Sequence, residues 1–374
     1  MHNEARQLAS QGFAKIVELE GIRGLAACLI VFFHIPLWNS SLDMGIKNNG
    51  YLMVELFFVL SGFVISVAYG DKINTIGDLL RFQFLRFGRL YPVHLLFLLL
   101  FVCVEIAKGF ASQVLGLEVK SEAFHTNSVS AIFQHLFLLQ AIGPTNNAVT
   151  FNAPAWSISV EFYTYLIFGA IVFFGSSRKT FLFFLITSLS LVSLVSEVTF
   201  GFERLLKCTA GFFLGCLVAR CCDVLNWRLP RHASVLFFFV LLLFLQLKTP
   251  HQYDIAIFPL SAALVGSLVL SGSGSLNIFL RTKFIVWLGS ISYSLYMSHM
   301  LVIWVFDNIL SRVLKRPGAV LKSGLFIAQA SITEAALFCL AVAVVVLIVS
   351  VGVHRFIEVP MRIKSRRFAF SKLT

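Results

Sequence analysis

Charge is scarce in this sequence. Asp, Glu, Lys and Arg make up 13% of its 374 residues, against roughly one quarter in a soluble domain. Hydrophobic residues take their place at 58%, with a mean hydropathy of +0.86, and no soluble core hides so much apolar surface. Acidic residues are the scarcer sign, 18 against 30 basic, for a formal net charge of +12. The basic excess lies in short segments between apolar runs rather than on one continuous face. That excludes a nucleic-acid surface and fits membrane topology. The seven cysteines form no C-x-x-C pair and have no histidine-rich partner cluster, so neither a disulfide framework nor a metal site is expected. Walker A, G-x-S-x-G and H-E-x-x-H motifs are missing, as is G-x-G-x-x-G after a strand, which removes the usual soluble-enzyme templates. No internal repeat stands out. The region before Gly21 is polar, with no cleavage-like site after an apolar stretch, so the first apolar segment is expected to be retained.

What the chain does have is length in its apolar runs. Forty phenylalanines and runs near the ~20 residues needed to cross ~30 Å of hydrocarbon make lipid its main solvent. Candidate spans start near Ile22, Gly50, Leu90, Ser128, Ala155, Thr180, Arg204, Ala233, Ile255, Ile285 and Ser331. The run from Ser128 to Gly143 is short, carries Gln134, His135 and Gln140, and leads into GPTNNAVTFNAP. It reads as a re-entrant or interfacial segment after the third span, since irregular backbone at membrane depth must be buried in protein or line a cavity.

The distribution of positive charge favours that reading. With the segment not spanning, about two thirds of the basic residues face the cytoplasm; with it spanning, fewer than half do. The expectation is an all-α integral membrane protein, a bundle of about ten transmembrane helices. Both termini are cytoplasmic, with tails 1–20 and 356–374, and residues 1–374 form one membrane domain. Arg312, Lys315, Arg316 and Lys322 would then lie outside, against the rule.

Ionisable groups inside apolar runs are costly, at ~2.5 kcal/mol or more each, so every one needs a partner, a cavity or a function. Arg23 and His34 lie eleven residues apart on the first span, about 16 Å along a helix. Arg23 falls at the cytoplasmic edge, where snorkelling is the plain alternative. His34 falls beyond mid-membrane, just before Pro36. It is either a hydrogen-bonded core histidine or a general base. Glu55 and Glu161 lie near the outer ends of their spans and are expected to share an outward cavity with His34, orienting it or binding a hydroxylated acceptor. An interhelical polar contact is the alternative for each.

RFQFLRFGRLYPVH places Arg86 and Arg89 at i, i+3, on one face if the stretch is helical. Such a pair suits phosphate oxygens, and anchoring to anionic lipid is its rival. GSISYSLYMSHM forms a polar seam with Tyr293 and His299, which either joins the cavity or packs helices together. Glu358 has Arg355 and Arg362 as expected partners.

In order, these segments resemble the acyltransferase-3 family of membrane O-acyltransferases. The likeness runs through ELEGIRGLAACLIVFFH, the glycine-led segment ending FFVLSGF, RFGRLYP, AWSISVEFY, SYSLYMSH and a closing IEVP. Val359 stands where that closing motif usually has arginine. The resemblance implies transfer of an acyl group, most often acetyl, from cytoplasmic acyl-CoA to a hydroxyl of a cell-surface or lipid-linked glycan such as a cell-envelope polysaccharide or lipopolysaccharide. It makes Arg23 and His34 essential, with Glu161 beside them as the third catalytic candidate. It sets Arg86 and Arg89 near the CoA phosphates of acetyl-CoA. Ser157, Ser159 and Glu161 come near the acceptor, with Glu55, Tyr293 and His299 supporting. No metal is implied, and the location implied is a bacterial inner membrane. Some members carry a C-terminal hydrolase-like domain; this sequence ends after its last span, so transfer is expected within the membrane domain or with a separate partner. The rival from another class is a transporter or flippase using the buried Arg, His and Glu as a pathway.

Overall fold

A computed structural model describes residues 16–36, 38–116, 122–145, 147–225, 227–249, 251–310, 314, 318–320 and 326–372. The basic loop residues Arg312, Lys315, Arg316 and Lys322 lie outside the described residues. Helices dominate, and the strands among the described residues are one short antiparallel pair, β1 (Gly318–Val320) and β2 (Phe326–Ala328).

Helix α1 runs Val17–His34 and stops where Ile35, extended at ψ 127°, precedes Pro36. The residue before a proline is pushed out of helical space. Helix α2 (Met53–Tyr69) follows a connection with three short helical turns, Ser40–Leu42, Gly45–Asn48 and Gly50–Leu52. Helix α3 (Ile76–Gln113) begins at a capping box in which Thr75 and Asp78 satisfy each other's backbone. It continues through Pro92. The stretch read from sequence as a loop entering a span is therefore part of one helix, and Arg81, Arg86 and Arg89 all sit on it. At 1.5 Å per residue α3 is about 57 Å long, well beyond the ~30 Å apolar layer.

The weak segment forms helix α4 (Val129–Leu136), eight residues long and too short to cross. Its polar residues hold the following loop. Gln134 accepts from Asn147 at 3.0 Å, His135 pairs with Thr150 at 3.0 Å, and Gln140 donates to Ala155 O at 3.1 Å. Helices α5 (Trp156–Gly175) and α6 (Lys179–Val195) are separated by Ser176, whose φ of 40° interrupts the helix. Next come α7 (Glu203–Val224), α8 (Ala233–Leu247), α9 (Ile257–Leu270) and the short α10 (Ser275–Leu280). Helices α11 (Lys283–Ser290) and α12 (Ser292–Asn308) meet at a 67° bend. Helix α13 (Ile332–Val353) passes through a π-helical turn, His354–Glu358, into α14 (Val359–Lys372).

Six helical stretches among the described residues are long and apolar enough to cross a membrane, or seven counting the bent pair α11–α12. Length and apolarity alone thus do not reach ten. Helix α1 carries Glu18, Glu20 and Arg23, and α8 spans only 15 residues. Two of the six stretches are also long: 43 residues holding α5 and α6, and 40 holding α13 and α14. The segment expected as a C-terminal tail is helix α14, docked against α3. Ser365 takes the space a side chain at Gly88 would need, Phe368 meets Phe84 in a tilted ring contact at 5.2 Å, and the Arg81 guanidinium lies 5.2 Å from the Phe370 ring.

Small residues set the central packing. Helices α2 and α7 approach so closely that a Cβ on Gly62 would fall 1.8 Å from Phe212 O, and one on Gly215 2.0 Å from Val59 O. Gly211 and Gly215 form the small-x-x-x-small spacing that lets membrane helices touch backbone to backbone. In the same way, a Cβ on Gly289 of α11 would fall 2.0 Å from Glu20 O of α1. This last contact seats α1, which carries both Arg23 and His34, against α11. All seven cysteines are free; Cys208, Cys216 and Cys222 are buried, while Cys28, Cys103 and Cys221 are exposed.

Candidate active site

Six of the residues singled out from sequence line two separate cavities on α1: His34 and Glu55 one, and Arg23, Arg89, Glu161 and Tyr293 the other. The first has a volume of about 240 Å³ and is lined by His34, Tyr51, Glu55, Pro154, Trp156, Arg204, Lys207 and Tyr296, among others. It adjoins a larger space of about 820 Å³ through shared walls at Tyr51, Glu203 and Lys207. The second is a narrow cavity of about 50 Å³ lined by Arg23, Ser61, Arg89, Glu161, Tyr165 and Tyr293, with apolar neighbours.

In the first cavity His34 is in contact with His299. His299 Nε2 lies 3.2 Å from His34 Nδ1, with ring centroids 4.8 Å apart. His34 Nδ1 is also 2.9 Å from Ile30 O, and His299 Nδ1 is 3.3 Å from Leu295 O. A carbonyl only accepts, so these contacts assign the proton to Nδ1 on both rings. His299 Nε2 is then the acceptor toward His34. The lone pair of His34 is left on Nε2, where a general base needs it. His299 is fully buried and Glu55 is 4% exposed. Glu55 Oε2 has no hydrogen-bond partner among the described residues.

Ser157 pairs with Tyr296 at 2.9 Å, and both donate to Pro154 O, at 3.1 and 2.9 Å. They shape the turn Ala153–Ala155 that closes this cavity ahead of α5. Ser159 does not line either cavity; its hydroxyl is buried and donates to Leu138 O, tying α5 to the loop after α4.

Glu161 does not join His34. Its Oε1 accepts from Ser61 and from Tyr165, both at 2.6 Å, in the cavity of Arg23 and Arg89. The expectation of one outward cavity holding His34, Glu55 and Glu161 is thus corrected: Glu161 is on the second turn of α5, and the helix turns it toward α1's other end. Tyr293 donates to Leu90 O at 2.5 Å and lines the same space. Arg86 lies beside it, with Nη2 3.3 Å from Tyr69 OH and its guanidinium 5.2 Å from the Tyr69 ring. Glu358 pairs with His354 at 3.1 Å and accepts from Ser294 at 2.7 Å, instead of the expected arginines. Ser61 and Tyr165 carry no motif of their own in the sequence, although the i, i+4 spacing of Glu161 and Tyr165 places them on one helix face.

Residues 16–354 match the family model described as an acyltransferase domain. The chain belongs to this acyltransferase family. The expected class, a membrane O-acyltransferase, holds, and the transporter reading gives way to it. Acyltransferase MdmB of Streptomyces mycarofaciens is 25% identical over 94% of this chain and 93% of its own length. Two relatives are matched over about half their own length. The Putative peptidoglycan O-acetyltransferase YrhL of Bacillus subtilis is 26% identical over 76% of this chain and 48% of itself. The Peptidoglycan O-acetyltransferase OatA of Listeria monocytogenes is 24% identical over 79% of this chain and 50% of itself. No solved structure matches the chain. Within the acyltransferase family, the two cavities are candidate sites for the two substrates of acyl transfer.

Proposed function

We propose that this acyltransferase moves an acyl group, most often acetyl, from cytoplasmic acyl-CoA to a hydroxyl of a glycan on the far side of a bacterial inner membrane. The observation that carries the reading is the separation on α1. A guanidinium-lined cavity lies at Arg23, and a histidine-based cavity about 16 Å further along the helix at His34. Arg89, Arg86 and Arg23 offer guanidinium donors for the phosphates of the donor at one end. At the other end His34 Nε2 takes the proton of the acceptor hydroxyl. The acceptor oxygen then attacks the thioester carbonyl carbon, the C–S bond breaks, and the proton passes from His34 to the departing thiolate. A transient acyl-histidine at His34 is the variant in which the same ring carries the acyl group between the two.

Ten crossings with both termini cytoplasmic put the arginines where acyl-CoA is made. Each of the ten apolar segments other than that of α4 falls on a described helix, with α11 and α12 together as one broken span. Glycan as the acceptor class rests on the relatives named for peptidoglycan O-acetylation. Purified enzyme with labelled acetyl-CoA and a soluble glycan acceptor tests the reading. Wild type should give labelled glycan, and His34→Ala should lose at least ~10²-fold in rate at unchanged expression. Wild-type rates in His34→Ala would remove it from the mechanism.

A further inference from the structure

Among the described residues that line the His34 cavity, Glu55 is the one with a buried side-chain atom that lacks a hydrogen-bond partner, which points to a ligand. It is 96% buried, yet Oε2 has no donor among the described residues. A buried acceptor left unmet costs ~1–3 kcal/mol, and such groups call for an explanation. Lys207 attracts Glu55 through space but hydrogen-bonds Glu203 at 2.6 Å, and neither it nor Arg204, 6.0 Å from the Trp156 ring, donates to Oε2. The cavity itself, about 240 Å³, equals roughly eight waters at ~30 Å³ each. That is room for one sugar-sized ring. Trp156 and Tyr51 are aromatic side chains in its wall, and the larger 820 Å³ space continues past Tyr51, Glu203 and Lys207.

We propose that this cavity is a subsite for the end ring of the acceptor, a neutral polyol, and that Glu55 is its specificity-determining residue. One hydroxyl of the ring faces His34 Nε2 and is acylated; a second donates to Glu55 Oε2. The rest of the acceptor extends into the larger space, so acylation falls on a terminal ring rather than on an internal one. The inference rests on His34 as the base of the proposed reaction.

The test uses the purified full chain in lipid nanodiscs with labelled acetyl-CoA, comparing methyl glucoside with cyclohexanol, a ring of like size with a single hydroxyl. A site built to bind a substrate hydroxyl discriminates strongly against analogues lacking it. Wild type should favour the glucoside in kcat/KM by at least about tenfold. Glu55→Gln, nearly isosteric, should shrink that ratio at least about fivefold, chiefly through KM for the glucoside, and Glu55→Asp should restore part of it. Equal use of both acceptors by wild type, or an unchanged ratio in Glu55→Gln, overturns the subsite. His34→Ala separates the two ideas: persistent transfer in that variant defeats the base assignment itself, whatever the ratio. Transfer to neither acceptor by wild type defeats both.

Discussion

His299 Nε2 approaches His34 Nδ1 to 3.2 Å, while each ring turns its own Nδ1 toward the carbonyl one helical turn earlier, Ile30 O and Leu295 O. The buried ring of His299 therefore fixes both the tautomer and the tilt of His34 without itself lining the cavity. This makes it a positioning residue. His299→Ala should lower kcat roughly 10- to 100-fold with little change in either KM, and His299→Gln, which keeps an acceptor near that place, should recover part of it. A matched loss of binding for both substrates, or no kinetic change, would contradict the assignment.

Arg89 lines the narrow cavity with Arg23, and Arg86 sits against Tyr69 next to it. Lysine keeps the charge but loses the planar fork. Arg89→Lys should raise KM for acetyl-CoA several-fold, and Arg86→Ala with Arg89→Ala more than tenfold, with acceptor KM unaffected. Unchanged donor binding by the double variant would reassign the pair to lipid anchoring.

Gly62 and Gly215 permit the backbone contact between α2 and α7. Leucine at either place forces the helices apart, and overpacking costs typically ~1–3 kcal/mol. Gly215→Leu should reduce monodisperse yield and lower the melting temperature by several degrees, while Cys103→Ser, on an exposed surface of α3, should do neither. Equal behaviour of the two would show that the contact is dispensable.

Asp71, in the turn after α2, accepts from Arg220 at 3.0 and 3.1 Å and from Lys179, and these partners hold its carboxyl down at about 2. An unfolded aspartate titrates near ~3.9. The contribution is therefore complete above about pH 4 and is lost as pH falls through about 2. Because Asp71 is well exposed, solvent screening limits it to at most ~1 kcal/mol. The melting difference between wild type and Asp71→Asn should be constant from pH 5 to 8. A difference that vanished inside that range would rule out this pairing as its source.

Much of the fold was legible in the sequence because lipid imposes one simple demand, long apolar helices, and because Gln134, His135 and Gln140 marked α4 as unlike the others. The division of the site was harder to read. Glu55 and Glu161 sit at similar places along their own runs, yet one faces His34 and the other Arg23, since which face of a helix looks at which neighbour is set by packing. The glycine contacts of α2 with α7 and α1 with α11 set the faces of α2 and α1, and the Ser61 and Tyr165 hydroxyls hold Glu161 toward Arg23. Likewise α14 reads as a charged tail, with nothing in its composition to show that α3 needs it.

That last contact joins residues at opposite ends of the order of synthesis. Gly88, between Arg86 and Arg89, is covered by Ser365, so this face of the arginine-bearing half of α3, which α2 and α5 brace on other sides, stays uncovered until every other described helix has been made. During biogenesis the seat of α14 on α3 is among the first parts to be translated and among the last to be covered. A membrane chaperone that shields α3 in the interval would have a defined face to hold.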